Sequence, residues 1–108
     1  MTVADRDPTV ELSFETRVFY WRGPSPFFFA PIPAERVEEV KRVARAVSYG
    51  WGMIPVEARI GEIGFKTSLY PKDETYLLPL RVDVRRRANV TAGDVIAVDL
   101  TIQLIEGS

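Results

Sequence analysis

Two segments near the ends of the chain alternate strictly between side chains that suit a core and side chains that suit water. The first runs from Val10 to Tyr20, with Val, Leu, Phe, Thr, Val and Tyr on one face and mostly polar residues on the other. The second runs from Ile96 to Leu104 and keeps Ile, Val, Leu, Ile and Leu on one face. Because successive side chains of a strand point to opposite faces, each segment is predicted to be a half-buried β-strand.

Four further strands and two helices are predicted between these segments. The strands cover residues 27–30, 56–60, 65–70 and 75–80, and the helices cover residues 33–47 and 81–88. The longer helix begins at Pro33, where a missing N–H costs nothing, and carries valines at helical spacing. The fold class predicted is mainly β, a small closed β-barrel of about six strands with one long and one short helix. Val40 and Leu100 are expected to be buried.

The apolar run Phe27–Phe28–Phe29–Ala30 lies between prolines and allows two interpretations. A short run of this kind is typical of a strand that is covered on both faces, which would make the three rings part of the core. The alternative is that the rings form an aromatic platform for a ligand.

Composition limits the chemistry available to the chain. The 108 residues include no histidine and no cysteine. Ser-His-Asp and Cys-His catalysis, thiolate chemistry and the common Cys/His zinc sites are therefore excluded, and neither a metal site nor a cofactor is predicted. The formal net charge is −1, so nucleic acid is not expected as a partner.

The length of the chain and its lack of cysteine and of long apolar runs predict a single cytoplasmic domain. We expect residues 10–106 to form a single β-barrel domain and residues 1–9 to be a flexible N-terminus. The sequence contains no leader-like segment and no apolar run long enough to span a membrane. A cytoplasmic location without membrane attachment is the expectation, and the lack of cysteine fits it.

Three motifs together resemble a known family. Gly50–Pro71 reads G-W-G-M-I-P-V-E-A-R-I-G-E-I-G-F-K-T-S-L-Y-P, Tyr76–Leu80 reads Y-L-L-P-L, and Asn89–Val98 reads N-V-T-A-G-D-V-I-A-V. This ordered set resembles the family called domain of unknown function 1905, in the subgroup with W-G-x-I-P-V, over about Leu12–Leu104. The resemblance implies a double-split β-barrel, loosely similar to swapped-hairpin transcription factors of the AbrB type. It implies no activity, because the family is uncharacterised.

Five residues are candidates for a binding site at the barrel mouth: Trp51, Lys66, Ser68, Tyr76 and Arg85. Lys66 and Ser68 are two residues apart on one strand and so point the same way. The resemblance implies a basic residue at the position of Arg85. Together these groups could hold a carboxylate or phosphate, with an aromatic ring stacked on its apolar part. The alternatives are that Lys66 and Ser68 form a solvated hairpin face and that Trp51 packs in the core between two glycines.

Three functions remain open from the sequence. The first is a binding module for a small, possibly anionic molecule at the barrel mouth. The second is an enzyme without metal or histidine, of lyase, isomerase or cyclase type, with Lys66 or a tyrosine as the acid–base group. The third is a homo-oligomeric or partner-binding interaction module. A closed pocket would favour the enzyme, a shallow groove the binding module and an exposed apolar patch the interaction module.

Overall fold

The computed structural model describes residues 9–104, which form seven strands and two helices. The strands are β1 (Thr9–Arg17), β2 (Phe19–Trp21), β3 (Phe27–Pro31), β4 (Ile54–Ile60), β5 (Ile63–Lys72), β6 (Thr75–Pro79) and β7 (Val95–Gln103). The helices are α1 (Ala34–Val47), between β3 and β4, and α2 (Val82–Ala88), between β6 and β7. The predicted flexible N-terminus lies outside the described residues, except for Thr9, which begins β1.

All strand pairs are antiparallel, and the strands form one sheet in the order β1-β7-β4-β5-β6-β3-β2. The sheet curls because β5 changes partner along its length. Its residues Ile63–Leu69 pair with β4, and its residues Tyr70–Lys72 pair with β6. The mainly β class is confirmed, but the described strands form a curled half-barrel and not the closed barrel that was predicted, since β1 and β2 end the strand order.

The prediction of six strands was wrong because the first predicted strand is divided at Val18. The backbone N–H of Val18 donates to the carbonyl of Asp94 at 2.9 Å, and its carbonyl accepts from Gly93 N–H at 2.8 Å. Val18 therefore pairs with the turn before β7, while Phe19–Trp21 pair with β3. Side-chain alternation continues as far as Val18 itself, and only the three exposed aromatic residues Phe19–Trp21 after it depart from the pattern.

The core lies inside the curl and is covered by α1. Val37, Val40 and Val43 form the buried side of α1, which contacts β1, β4 and β6. The predicted burial of Val40 and Leu100 is confirmed, because their exposed fractions are 0% and 1%. The helix bounds differ slightly from prediction, since Pro33 and Arg81 are the residues before each helix and not part of it. Within the described residues, neither helix is long and apolar enough to cross a membrane.

One buried hydrogen bond joins the two halves of the curl. The Thr16 hydroxyl on β1 donates to the carbonyl of Pro31 on β3 at 2.6 Å. Thr16 is 8% exposed, so water competes little for this bond. The bond therefore joins β1, at one end of the sheet, to β3, which lies next to the other end.

Candidate functional site

The structure distributes the five candidate residues over different parts of the molecule. Lys66 and Ser68 lie on the outer face of β5, the face turned away from the core, as the strand periodicity predicted. Pro71 is three residues from Ser68 on β5 and so points to the opposite, inner face. Tyr76 pairs with Pro71 and therefore lies on the inner face as well. Arg85 belongs to α2 and contacts β3. Lys66 and Arg85 line different grooves, which are described below together with the position of Trp51.

Trp51 lies at the tip of a tight turn, which we call the Trp51 turn, formed by Tyr49–Met53. Tyr49 and Met53 exchange two backbone hydrogen bonds of 2.9 Å, and Gly52 N–H donates to the Tyr49 carbonyl at 3.0 Å. Gly50 and Gly52 have φ of 56° and 92°, a region that favours glycine. The indole is 92% exposed, so the interpretation of Trp51 as a core residue was wrong. The glycines serve the turn, not close packing of the ring.

A groove of about 600 Å³ lies where β4 and β7 diverge, and we call it the β4–β7 groove. The two strands pair only over Glu57–Arg59, so the start of β4 and the end of β7 separate. The groove is lined by the end of α1, the first half of β4, and parts of β5 and β7: Ala46, Val47, Ser48, Tyr49, Pro55, Val56, Glu57, Lys66, Thr67, Thr101 and Gln103. The lining therefore includes both apolar side chains, such as Val47 and Pro55, and polar ones, such as Thr67 and Gln103.

Lys66 and Ser68 are connected to this groove in different ways. Lys66 lines it directly, and its ammonium lies 3.9 Å from the Glu57 carboxylate. The Ser68 hydroxyl shares a 2.9 Å hydrogen bond with the Tyr49 hydroxyl, which fixes one wall and the base of the Trp51 turn. Since the Lys66 side chain is 83% exposed, its ion pair with Glu57 is a surface interaction that contributes little to stability.

Strands β2 and β3 form an aromatic hairpin that carries half of the aromatic residues of the chain. Antiparallel register puts Phe19, Trp21, Phe27 and Phe29 on one face and Tyr20 and Phe28 on the other. On the first face, the Phe29 ring lies between 5.6 and 6.2 Å from the rings of Phe27, Phe19, Trp21 and Tyr70. Phe29 is only 6% exposed as a result, so core-like packing and an aromatic surface are both present in this segment.

Cations cover several of these rings. The Arg22 guanidinium lies 5.7 Å from the Tyr20 ring centre, and the Lys72 ammonium lies 5.6 Å from that of Trp21. The closest pair is Arg85 with Phe28, whose guanidinium carbon and ring centre are 3.7 Å apart. Cation–π contacts of this kind are worth about 0.5–2 kcal/mol each, with the larger value for desolvated pairs.

Arg85 differs from Arg22 and Lys72 because part of its guanidinium is buried without a polar partner. Among the described residues it forms no salt bridge, and its Nε is buried without a hydrogen-bond acceptor. A groove of about 390 Å³ begins beside it and is lined by Arg85, Arg86, Asn89, Val90, Thr91 and Asp94. We call this the Arg85 groove. The carboxylate of Asp94 already accepts the Thr91 N–H at 2.9 Å.

The arginine that precedes α2 is paired with an aspartate in the first turn of the helix. Arg81 donates from Nε to the Asp83 carboxylate at 3.3 Å, and this hydrogen bond lowers the pKa of Asp83 below its ordinary value. Asn89 ends the helix in a left-handed conformation, with φ of 59°, which turns the chain back along the groove.

Among the described residues, no group of three or more acidic side chains could hold a metal ion.

Sequence reasoning missed two residues that contribute to these surfaces. Tyr49 supplies a groove wall and the bond to Ser68, and Tyr20 lies 4.7 Å from the Phe28 ring beside Arg85. Tyr20 was assigned to the buried face of the first strand, but it is 39% exposed because β2 is the last strand of the sheet. The aromatic character of both β2 and β3 was the available signal, since a hairpin that ends a sheet cannot bury rings on both of its faces.

The fold and these surfaces define a small antiparallel β domain with shallow grooves at its surface. Residues 14–100 match the sequence profile of the family described as domain of unknown function (DUF1905), and the chain belongs to that family. No curated protein sequence matches the chain.

Proposed function

We propose that the chain is a non-catalytic binding module for a small anion, a carboxylate or a phosphate, at the Arg85 groove. The observation that carries the proposal is the state of Arg85. Its guanidinium lies 3.7 Å from the Phe28 ring centre, its Nε is buried without an acceptor, and it forms no ion pair among residues 9–104. A partly buried cation with one unpaired buried N–H and no counter-charge carries a free-energy cost, and an anionic ligand would reduce that cost.

The stacked geometry suits an anion. When one face of a guanidinium lies on an aromatic ring, its N–H groups remain free in the plane, where they can donate two parallel hydrogen bonds to a carboxylate or phosphate. Arg86, Asn89 and Thr91 line the same groove and offer further donors. Asp94 lines it as well, but its carboxylate is engaged by the Thr91 N–H, and two guanidinium charges outweigh it.

The neighbouring ring of Tyr20 indicates what the rest of the ligand is like. Tyr20 is 39% exposed and lies 4.7 Å from Phe28, on the same face of the hairpin as Arg85. A planar group attached to the anion could stack on this ring and gain about 0.5–1.5 kcal/mol beyond its buried area. We therefore infer that the preferred ligand is an anion that carries a flat, apolar part.

We also infer that the curled sheet is of the double-split type. The segment β1–β2 passes from one half of the sheet to the other at Val18, and β5 does the same at Leu69–Tyr70. Both crossings supply residues to the ends of the curl. The Arg85 groove lies at the first of these crossings, next to the Gly93–Asp94 turn that Val18 contacts.

Two observations favour a binding module over an enzyme. A lysine that acts as an acid–base group or nucleophile is usually desolvated, whereas the Lys66 side chain is 83% exposed. The grooves of about 390 and 600 Å³ are open surface features and not closed pockets, so they would exclude little water from a reaction.

Titration of the protein with phenyl phosphate and with inorganic phosphate, followed by amide NMR shifts and calorimetry, tests the proposal. We expect saturable shifts at Arg85, Asn89 and Thr91 and tighter binding of phenyl phosphate. Arg85→Ala should weaken binding by about 1.5–3 kcal/mol, the usual range for hydrogen bonds to charged groups.

Two variants separate charge from geometry. Arg85→Lys keeps the charge but loses the planar fork, so it should restore only part of the affinity. Arg87→Ala removes an exposed charge from the same helix that does not line the groove, and should leave binding close to that of the natural protein. Equal losses for Arg85→Ala and Arg87→Ala would mean that the effect is general electrostatics and that the proposed site is wrong.

A further inference from the structure

Trp51 is the most exposed large apolar side chain of the described residues, at 92%, and the backbone turn that carries it is closed by hydrogen bonds. Three backbone hydrogen bonds close its turn, and a Cβ at Gly52 would lie 3.3 Å from the Pro71 ring, so the turn rests on β5. An indole exposes roughly 200 Å² of mostly apolar surface. Rigid, displayed tryptophans are the residues most enriched among interface hot spots.

The same molecule contains a recess that suits such a ring. The β4–β7 groove measures about 600 Å³, within the range of sites that accept a ring-sized group, roughly 300–1,000 Å³. Ala46, Val47 and Pro55 provide apolar walls. Thr101 and Gln103 provide oxygen atoms that can accept the indole N–H, which needs a partner when it is buried.

The indole and the groove lie on the same side of the molecule. Tyr49 belongs both to the Trp51 turn and to the groove wall, and its hydroxyl is held by Ser68 at 2.9 Å. When a projecting group and its recess are neighbours, a twofold axis between two copies can place each projection in the other copy's recess. We propose that two copies of this chain form a twofold dimer in which Trp51 of each inserts into the β4–β7 groove of the other.

The size of this contact predicts a weak dimer. Two buried indoles and the walls that cover them amount to roughly 800–1,000 Å² of total buried area, below the standard size of stable interfaces. We therefore expect a reversible dimer with a Kd in the micromolar range. The proposal does not involve Arg85, so its failure would leave the anion site untouched.

Sedimentation velocity across the micromolar range, together with tryptophan fluorescence, tests the dimer. Trp21→Phe leaves Trp51 as the fluorescent tryptophan, because the sequence has two. We expect its emission to shift to the blue and its quenching by iodide to fall as the protein concentration rises. Trp51→Ala should weaken dimerisation about thirtyfold or more, the loss typical of a hot spot.

A second variant blocks the groove and leaves Trp51 in place. Ala46 is exposed on α1 and lines the groove, so Ala46→Glu should prevent insertion without unfolding the helix. A mixture of the two variants is the sharpest test, because the Trp51→Ala copy keeps its groove and the Ala46→Glu copy keeps its indole. The mixture should form heterodimers with one inserted indole, which are weaker than the natural dimer but tighter than the homodimer of either variant.

Three results would overturn the proposal: a natural chain that is monomeric throughout, a dimer that Trp51→Ala leaves unchanged, or a mixture that associates no more tightly than either variant alone. Circular dichroism and thermal midpoints of both variants show whether they are folded. Both should be close to the natural chain, because each substituted side chain is exposed.

Discussion

The two ends of the sheet are built from different kinds of sequence. At one end, β1 and β7 pair over nine residues, with every second side chain in the core and polar residues outside. At the other end, β2 and β3 pair over three residues and carry rings on both faces. The first end is stabilised by burial of one face, and the second by contacts between rings and cations. We expect the second end to open first when the protein is destabilised.

The largest effect is expected in the β1–β7 half. Leu100 is 1% exposed in the centre of β7, so Leu100→Ala should lower the free energy of unfolding by about 3–5 kcal/mol, through lost burial and the cavity left behind. Denaturant titration measures this. Gln103→Ala, at an exposed position of the same strand, should change stability by less than about 0.5 kcal/mol. Similar losses for both variants would contradict the core assigned to this half.

A smaller loss is expected at the aromatic hairpin. Phe29→Ala should cost about 3 kcal/mol, because the short edge strand β2 beside β3 can shift into the space that the removed ring leaves. Hydrogen exchange should show the loss confined to β2 and β3. Phe19→Ala, which removes a ring already 36% exposed, should cost about 1 kcal/mol. If Phe29→Ala destabilised β1 and β7 equally, the two ends would be one cooperative unit.

The bond between the two halves should have an intermediate effect. Thr16→Val keeps the shape of the side chain but leaves the Pro31 carbonyl without its 2.6 Å hydrogen bond, which should cost about 1–2 kcal/mol. Thr16→Ser retains the hydroxyl and should restore most of that loss. Amide exchange in β3 reports whether the bond couples the halves. No change in β3 would show that the curl is held by packing alone.

The smallest effect concerns the charge on α2. Because the hydrogen bond from Arg81 lowers the pKa of Asp83 in the folded state, ionised Asp83 favours the fold above its unfolded pKa. That contribution disappears as the pH falls through the folded pKa. Arg81→Gln should raise the pKa of Asp83 toward its ordinary value in a carboxyl NMR titration, whereas Lys72→Gln should leave it where it is. An unchanged titration in Arg81→Gln would assign the shift to another group.

The β1–β7 end could be predicted from sequence because burial of one face produces a strict period of two. Leu100 is buried as that pattern requires, and Val40 is buried as the helical spacing of the valines in α1 predicted. The curl and the extra strand were not predicted, because Val18 changes partner while its own side chain still follows the alternation, and only the aromatic run Phe19–Trp21 after it breaks the pattern. Hydrogen-bond partners leave no periodic signal, so a split strand and an unbroken one look alike in sequence.

The candidate site was predictable only in its parts. Strand periodicity correctly put Lys66 and Ser68 on one face. The relation of Arg85 to Phe28 depends on how α2 lies against β3, which no local pattern encodes. Trp51 was misinterpreted because two flanking glycines are equally typical of close packing and of a tight turn. The positive φ angles at Gly50 and Gly52 decide for the turn.

The position of β7 in the sheet has a consequence for synthesis of the chain. β7 is the last described strand to leave the ribosome, yet it lies between β1 and β4. Until it arrives, the earlier strands have two unpaired edges facing a gap, and edges of that kind can pair with other chains. Completion of the sheet must therefore wait for residues separated by almost the whole chain, such as Leu12 and Leu100. Folding should therefore be slow, and the nascent chain should be most prone to aggregate before β7 has paired with β1 and β4.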